Sequence, residues 1–212
     1  MGLYQRSSVV AKFLYLNEIY QRIINLPGVI MEFGTWWGQT LVQFQNLRAV
    51  YEPYNHTRKV VGFDTFAGYP SPNINDGTSE LVKQGQYAVS ANYLSYLNDL
   101  LDYHEMENTV SHIKKYDLIK GDVVETINTY LQQHPETIIS LAYLDMQLYE
   151  PTKKVLEAIV PYLVKGSVIA MDELNCADFP GETLAFRETV GLSKYQAFRS
   201  QFLPDRTYFV ID

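Results

Sequence analysis

The sequence predicts an α/β fold: a doubly wound, mostly parallel, seven-stranded sheet that finishes in an antiparallel hairpin. Three observations predict it. Short apolar runs alternate with segments of helical spacing, as expected for strands buried on both faces between crossover helices. Five of these runs end in or beside a carboxylate, at the strand ends where open α/β sheets hold their ligands. Two final β-rich runs flank Leu203-Pro204-Asp205, which reads as a hairpin turn.

In chain order, Val9, Val10, Phe13, Leu14, Ile19, Tyr20, Ile23 and Ile24 recur near helical spacing behind Ser7 or Ser8 as N-cap. Pro27 and Gly28 stop that helix, so residues 1–27 are read as an N-terminal helical segment. Gly28 to Gly34 is the first strand, Gly38 to Tyr51 a helix, and Lys59 to Asp64 the second strand. Residues 65–90 carry Gly68, Pro70, Pro72, Gly77 and Gly85 without a lasting period, the mark of a long loop or lid. Residues 71–110 are expected to form the lid that selects the acceptor, with Ser90 capping a helix to about His104. Tyr116 to Gly121 is a third strand, Val123 to Gln133 a helix, and Ile138 to Asp145 the fourth strand. Glu150 to Val164 is a helix with Pro151 in its first turn, where proline is tolerated. Gly166 to Met171 is the fifth strand, Gly181 to Val190 a helix, and Gln196–Phe202 with Arg206–Val210 the hairpin. No repeat or charge run interrupts the alternation, so residues 1–212 are expected to form one domain.

Composition excludes several functions. Seventeen basic residues against 24 acidic ones leave a net charge of −7, the wrong sign for holding a phosphate backbone, so no nucleic-acid partner is expected. Hydrophobic residues make up 47% of the chain, enough for a full core. The single cysteine, Cys176, excludes an internal disulfide and fits a reducing compartment. No apolar run approaches the ~20 residues of a membrane span, and the N-terminus MGLYQRSSVV lacks the apolar core of a signal peptide. A cytoplasmic protein without a membrane partner is expected.

The strand ends carry the chemistry. They are Glu32-Phe33-Gly34, Asp64, Gly121-Asp122, Asp145 and Asp172-Glu173, a crown of acids at one sheet edge. An acid closing the second strand suits a ribose diol, since a carboxylate accepts two hydrogen bonds. Asp122 is also in position to cap the following helix. Asp145, Asp172 and Glu173 offer hard oxygens of the kind Mg²⁺ prefers, and without a cation they would repel one another. The glycine loop E-F-G-T-W-W-G has only Gly34 and Gly38, with Trp36 and Trp37 between, where a pyrophosphate site needs a third glycine. Glu32 would also repel a pyrophosphate but favours an amino group or sulfonium. A nicotinamide-dependent oxidoreductase is therefore disfavoured.

These residues resemble class I S-adenosylmethionine-dependent methyltransferases, specifically the macrocin/mycinamicin type of sugar O-methyltransferase. The resemblance runs through Val29–Gly38, Val61–Pro70, Lys120–Thr126, Leu144–Thr152, Val168–Glu173 and Ala185–Glu188, with the string L-D-x-x-x-Y-E-P-T its most specific piece. It implies a Rossmann-like methyltransferase sheet and a cofactor site made of Glu32, Gly34, Thr35, Gly38, Asp64, Thr65 and Asp122. Asp64 would meet the ribose and Asp122 the adenine. It further implies Asp145, Asp172 and Glu173 as Mg²⁺ ligands, Asp145 as general base, a sugar or glycoside acceptor, and a possible homo-oligomer. Two positions depart from the family: Gln147 stands where a second acid is usual, and Glu173 where a second aspartate is usual. The remaining alternatives are a metal-free methyltransferase for another hydroxylated small molecule and a non-catalytic binding protein. His56, His104, His112 and His134 share no metal-ligand spacing, and Cys176 has no histidine partner in the sequence pattern. Trp36 and Trp37 are candidates for a pocket wall, and Tyr87, Tyr93 and Tyr96 for stacking on an acceptor.

Overall fold

The structure is a computed structural model that describes residues 4–212, so the first three residues of the expected N-terminal segment lie outside the described residues. The elements are α1 (Ser7–Ile23), β1 (Val29–Phe33), α2 (Gln39–Tyr51), β2 (Val60–Asp64), α3 (Tyr93–Met106), β3 (Tyr116–Lys120) and α4 (Val123–Gln133). They continue with β4 (Ile139–Leu144), α5 (Tyr149–Ile159), β5 (Leu163–Met171), α6 (Pro180–Thr189), β6 (Gln196–Arg199) and β7 (Thr207–Val210). All seven strands join one sheet in the order β3-β2-β1-β4-β5-β7-β6. β1 to β5 run parallel, and β7 lies antiparallel between β5 and β6. This is the doubly wound, mostly parallel sheet with a terminal hairpin that the sequence predicts.

The two-residue period of the strands splits the core into two layers. Met31, Phe33, Val61, Phe63, Ala142, Leu144, Ile169 and Met171 face α4, α5 and α6. Their neighbours Ile30, Val60, Leu141, Tyr143, Val168 and Ala170 face α1, α2 and α3. Burying each such aliphatic or aromatic side chain stabilises the fold by about 1.5–3 kcal/mol. Strand order reverses between β1 and β4, so the crevice of the sheet opens between their C-terminal ends.

Several boundaries differ from the sequence reading, each for a local reason. The N-cap of α1 is Arg6, with no side-chain cap bond, and Ser7 is already helical. α5 stops at Ile159 rather than Val164, because Pro161 lacks an amide proton and turns the chain through a 3₁₀ segment, Val160–Tyr162. β5 consequently starts at Leu163, earlier than Gly166. β6 stops at Arg199 because the Ser200 hydroxyl accepts the Phe202 and Leu203 amides and bends the chain. The N-cap of α3 is Asn92 rather than Ser90, whose carbonyl accepts the Tyr93 amide.

The 71–110 region divides in two. Residues 71–92 hold only a 3₁₀ turn, Ile74–Asp76, and cover the sheet edge. α3 instead packs into the core through Leu97 and Leu101, and its Glu105 accepts Arg48 Nη2 at 2.9 Å and Gln45 Nε2 at 3.2 Å. The buried Lys115 ammonium completes that pair at 2.5 Å from Glu105. Asp76 fastens the covering segment: its carboxylate accepts the Asn73 amide at 2.7 Å and the Tyr149 amide at 2.5 Å.

Candidate active site

The exits of β1 and β4 touch. The Asp145 amide donates to the Phe33 carbonyl at 2.8 Å, and a Cβ on Gly34 would stand 2.1 Å from the Asp145 carbonyl oxygen. Gly34, at φ +94°, is therefore demanded by the chain crossing itself. Gly38 starts α2 in the left-handed region at φ +73°, and a Cβ there would strike Leu97 of α3. Between them Trp36 adopts φ +48°, and its amide donates to Asp64 Oδ2 at 2.7 Å. The other Asp64 oxygen accepts the Phe66 amide at 2.6 Å, so this acid ties together the loops after β1 and β2. Thr65 makes a local turn, donating its hydroxyl to the Gly68 carbonyl at 2.7 Å. Asp122 caps α4, accepting the Val124 amide at 2.9 Å.

Two cavities open at this edge. The larger, about 280 Å³, runs from Asp122 past Asp64 to Asp145, Asp172 and Glu173. The smaller, about 140 Å³, is walled by Lys12, Glu32, Thr35 and Thr40. Gly34, Trp36 and Asp145 line both, so the cavities meet at Asp145. In the smaller one Glu32 is 2% exposed, and its Oε2 and the Thr35 hydroxyl have no hydrogen-bond partner. A buried acceptor without a donor fits a ligand ammonium, and the residues present thus fit the amino-acid end of S-adenosylmethionine. The larger cavity offers the acids that suit an adenosine.

Asp145 and Asp172 do not share their charge in the way the sequence reading expects. One Asp172 oxygen, Oδ1, accepts the Tyr143 hydroxyl and the Lys12 ammonium at 3.2 Å. Lys12 also donates to the Tyr143 hydroxyl at 2.6 Å. Arg206 forms an ion pair with the same oxygen, its Nε 2.6 Å away, and its Nη1 donates to the Asp172 carbonyl at 2.9 Å. The Nε proton is not aimed at that oxygen, so the contact is charge attraction more than hydrogen bonding. Asp145 Oδ1 accepts the Gln147 amide nitrogen at 2.6 Å. Glu173 is half-buried at the cavity wall. Among the described residues no three acid, histidine or cysteine side chains form a metal-binding group. The expected Mg²⁺ set of Asp145, Asp172 and Glu173 is thus not assembled as a metal-binding group among the described residues. As arranged, it does not fit a divalent ion, because two side-chain cations and a phenol already hold Asp172 and an amide donor holds Asp145.

Burial dominates the electrostatics here. It raises the Asp145 carboxyl well above its ordinary value, helped by Asp172 and opposed by Lys12 and Arg206. Glu32 is raised in the same way, by burial and then by Asp145. Asp64 and Glu173 are raised by burial too, with the Trp36 and Phe66 amides opposing it at Asp64. Glu182 of α6 is pushed up to about 8 by burial, against the pull of the backbone donors that surround it.

Sequence reasoning missed Lys12, Tyr143, Arg206, Glu182 and Tyr69. Glu182 receives the amides of Met146 at 3.1 Å, Gln147 at 3.0 Å and Glu173 at 3.2 Å, clasping the loops after β4 and β5 together. Lys12 carried a signal, being the one cation in the apolar stretch Val9–Leu16. Glu182 and Arg206 carried none, since only tertiary structure brings them to the edge. The Trp36 ring is 41% exposed at the cavity mouth and meets Tyr87 edge-on at 5.7 Å. Trp37 packs against Tyr93 at 4.4 Å, while Tyr96 is exposed. The four histidines line neither cavity, and Cys176 is half-buried just beyond Glu173. No described helix is long and apolar enough to cross a membrane.

Comparison with known proteins places this geometry. The profile described as Macrocin-O-methyltransferase matches residues 11–194. The crystal structure of CalS11, described as a calicheamicin methyltransferase, superposes with a TM-score of 0.93 at 44% identity, covering 95% of this chain and 79% of that one. An apo structure of CalS11, described as a TDP-rhamnose 3'-O-methyltransferase, gives 0.83 at 40% identity with the same coverages. The O-methyltransferase NovP shares the fold, with a TM-score of 0.70 at 17% identity over 95% of this chain and 80% of that one. No curated protein matches the chain significantly.

Proposed function

The chain belongs to the macrocin-O-methyltransferase family, and on that premise we propose that it transfers a methyl group from S-adenosylmethionine to a hydroxyl of a deoxysugar, nucleotide-linked or already glycosidic. The observation that carries this reading is Asp145, half-buried at the meeting point of the two cavities. Bound S-adenosylmethionine supplies a methyl on a positively charged sulfur, open to in-line attack. Glu32 and Thr35 would hold its ammonium, Gly34 and Gly38 shape the loop beneath it, and Asp64, Thr65 and Asp122 line the adenosine side. Asp145 receives the acceptor hydroxyl's proton, and its raised pKa brings it nearer the working pH than an exposed aspartate. Trp36 and Tyr87 give the acceptor an apolar wall at the mouth. The similarity to a TDP-rhamnose methyltransferase supports the sugar class.

No step is routed through Mg²⁺, because the donor set does not fit one. The lone cysteine and the intracellular supply of the methyl donor support a cytoplasmic enzyme. The test is a titration with S-adenosylhomocysteine followed by turnover of TDP-rhamnose. Binding in the micromolar range, about −8 kcal/mol, with a methylated sugar product is expected. Binding without turnover of nucleotide sugars or of deoxysugar glycosides would overturn the sugar assignment.

A further inference from the structure

Gln147 and Tyr69 take no part in the chemistry described so far, yet they reach Asp145. Gln147 holds φ +61°, a left-handed conformation unusual for glutamine, and its amide proton is fixed on Glu182 at 3.0 Å. That backbone setting turns the side chain across the site. Its Nε2 donates to Asp145 Oδ1 at 2.6 Å, and its Oε1 accepts the Tyr69 hydroxyl. The direction of the chain follows from chemistry. In the form that acts as base, Asp145 is ionised and only accepts, so the NH₂ end of Gln147 faces Asp145 and its carbonyl end faces Tyr69. Tyr69 must then donate, and burial keeps its phenol protonated by raising its pKa. Tyr69 stands just before the covering segment and is bonded to it, its amide donating to the Gln86 carbonyl at 2.9 Å and its carbonyl accepting the Gly85 amide at 3.0 Å. Its ring packs at a tilt against Tyr87, centroids 5.1 Å apart, and Tyr87 meets Trp36 at the mouth. A continuous row of side chains thus joins the cavity mouth to the base.

We propose that Tyr69, acting through Gln147, is a positioning residue that fixes Asp145 with Oδ1 occupied and Oδ2 free for the acceptor hydroxyl. The inference rests on the reading of Asp145 as the base. Gln147, where the family usually has a second acid, then replaces a like charge beside Asp145 by a hydrogen-bond donor. Because Tyr69 is bonded through its backbone to Gly85 and Gln86 of the covering segment, that segment helps to hold the base in its working orientation.

A double-mutant cycle tests it, with TDP-rhamnose or whichever deoxysugar turns over as acceptor. Tyr69→Phe removes only the hydroxyl, and Gln147→Ala removes the bridge. Each is expected to lower kcat about tenfold, the scale of a slightly misplaced group, with little change in acceptor KM. The double variant should be no slower than the worse single one. Losses that multiply, or that appear in KM, would overturn the proposal and make Tyr69 a direct acceptor contact. Gln147→Glu, which returns a carboxylate to the position, should lower kcat more than Gln147→Ala; full activity would also overturn it. A second readout needs no acceptor. The Gln147 side-chain NH₂ pair, identified by its loss from the ¹H–¹⁵N spectrum of Gln147→Ala, should exchange slowly in the wild type and quickly in Tyr69→Phe. Fast exchange in the wild type would overturn the proposal even if no sugar were methylated, whereas absent turnover with slow exchange would count against the sugar reading alone.

Discussion

Asp145 is the residue on which the chemistry turns, and its surroundings fix how it must respond. Replacing it by Asn keeps its shape and removes the base, so turnover should fall about 10²–10⁴-fold while S-adenosylhomocysteine still binds in a calorimeter. Retained turnover would remove its role. The sign of the pH dependence follows from burial. The folded carboxyl is raised, the base works only when ionised, and kcat/KM should therefore climb with pH along a limb above the ordinary aspartate range. A limb at the ordinary value would mean another group accepts the proton. Lys12→Met leaves Asp172 with Arg206 and Tyr143 and should cost about 1–3 kcal/mol of stability in a denaturant titration. Asp145, Asp64 and Glu32 were legible in the sequence because strand ends are predictable. Arg206 was not, since it arrives from 34 residues away along the chain, and Lys12, 160 residues from Asp172, showed only as a lone cation in an apolar stretch. Their arrival also offsets the repulsion among these acids that the sequence foresees.

Elements meet the same test. Glu182 at the start of α6 clasps two strand exits, and its carboxyl is raised from an ordinary 4.5 to about 8. In that window the folded protein holds a proton that the unfolded chain has released. Stability from this group is therefore complete at low pH and is lost as pH rises towards 8, by at most roughly 5 kcal/mol. Glu182→Gln should flatten that slope in denaturant titrations between pH 5 and 8, while freeing the Glu173 amide from its acceptor. An unchanged slope would assign it to Asp145, Glu32 and their neighbours instead. Strands and helices of this fold could be read from periodicity, because apolar runs of five or six residues do not fit helices. The end of α5 could not be read as easily, although Pro161 stood in plain view; helical spacing continued past it to Val164. Ser200 hid the end of β6 in the same way, through a side chain bonding to its own backbone.

Across the whole molecule the sheet order brings every acid-tipped exit of β1 to β5 to one edge, and a ligand bridging several exits stabilises all of them together. With S-adenosylhomocysteine at a hundred times its Kd, stability should rise by about 2.7 kcal/mol, moving Tm up by about 5–10 °C for a chain of this length. No shift would mean that the cavities do not hold it. The two layers of core and the seven-stranded sheet were foreseeable from alternation and the final hairpin. The seat of α3 in the core was not, because its buried Glu105 reads on the sequence as one more surface charge.

The partners of Asp172 come from the first helix and from the turn that precedes the last strand. The last strand thus brings more to the sheet than its pairing with β5. A chain shortened to end at residue 205 would keep all five parallel strands and their acids but lose β7 and Arg206, leaving Lys12 as the cation on Asp172.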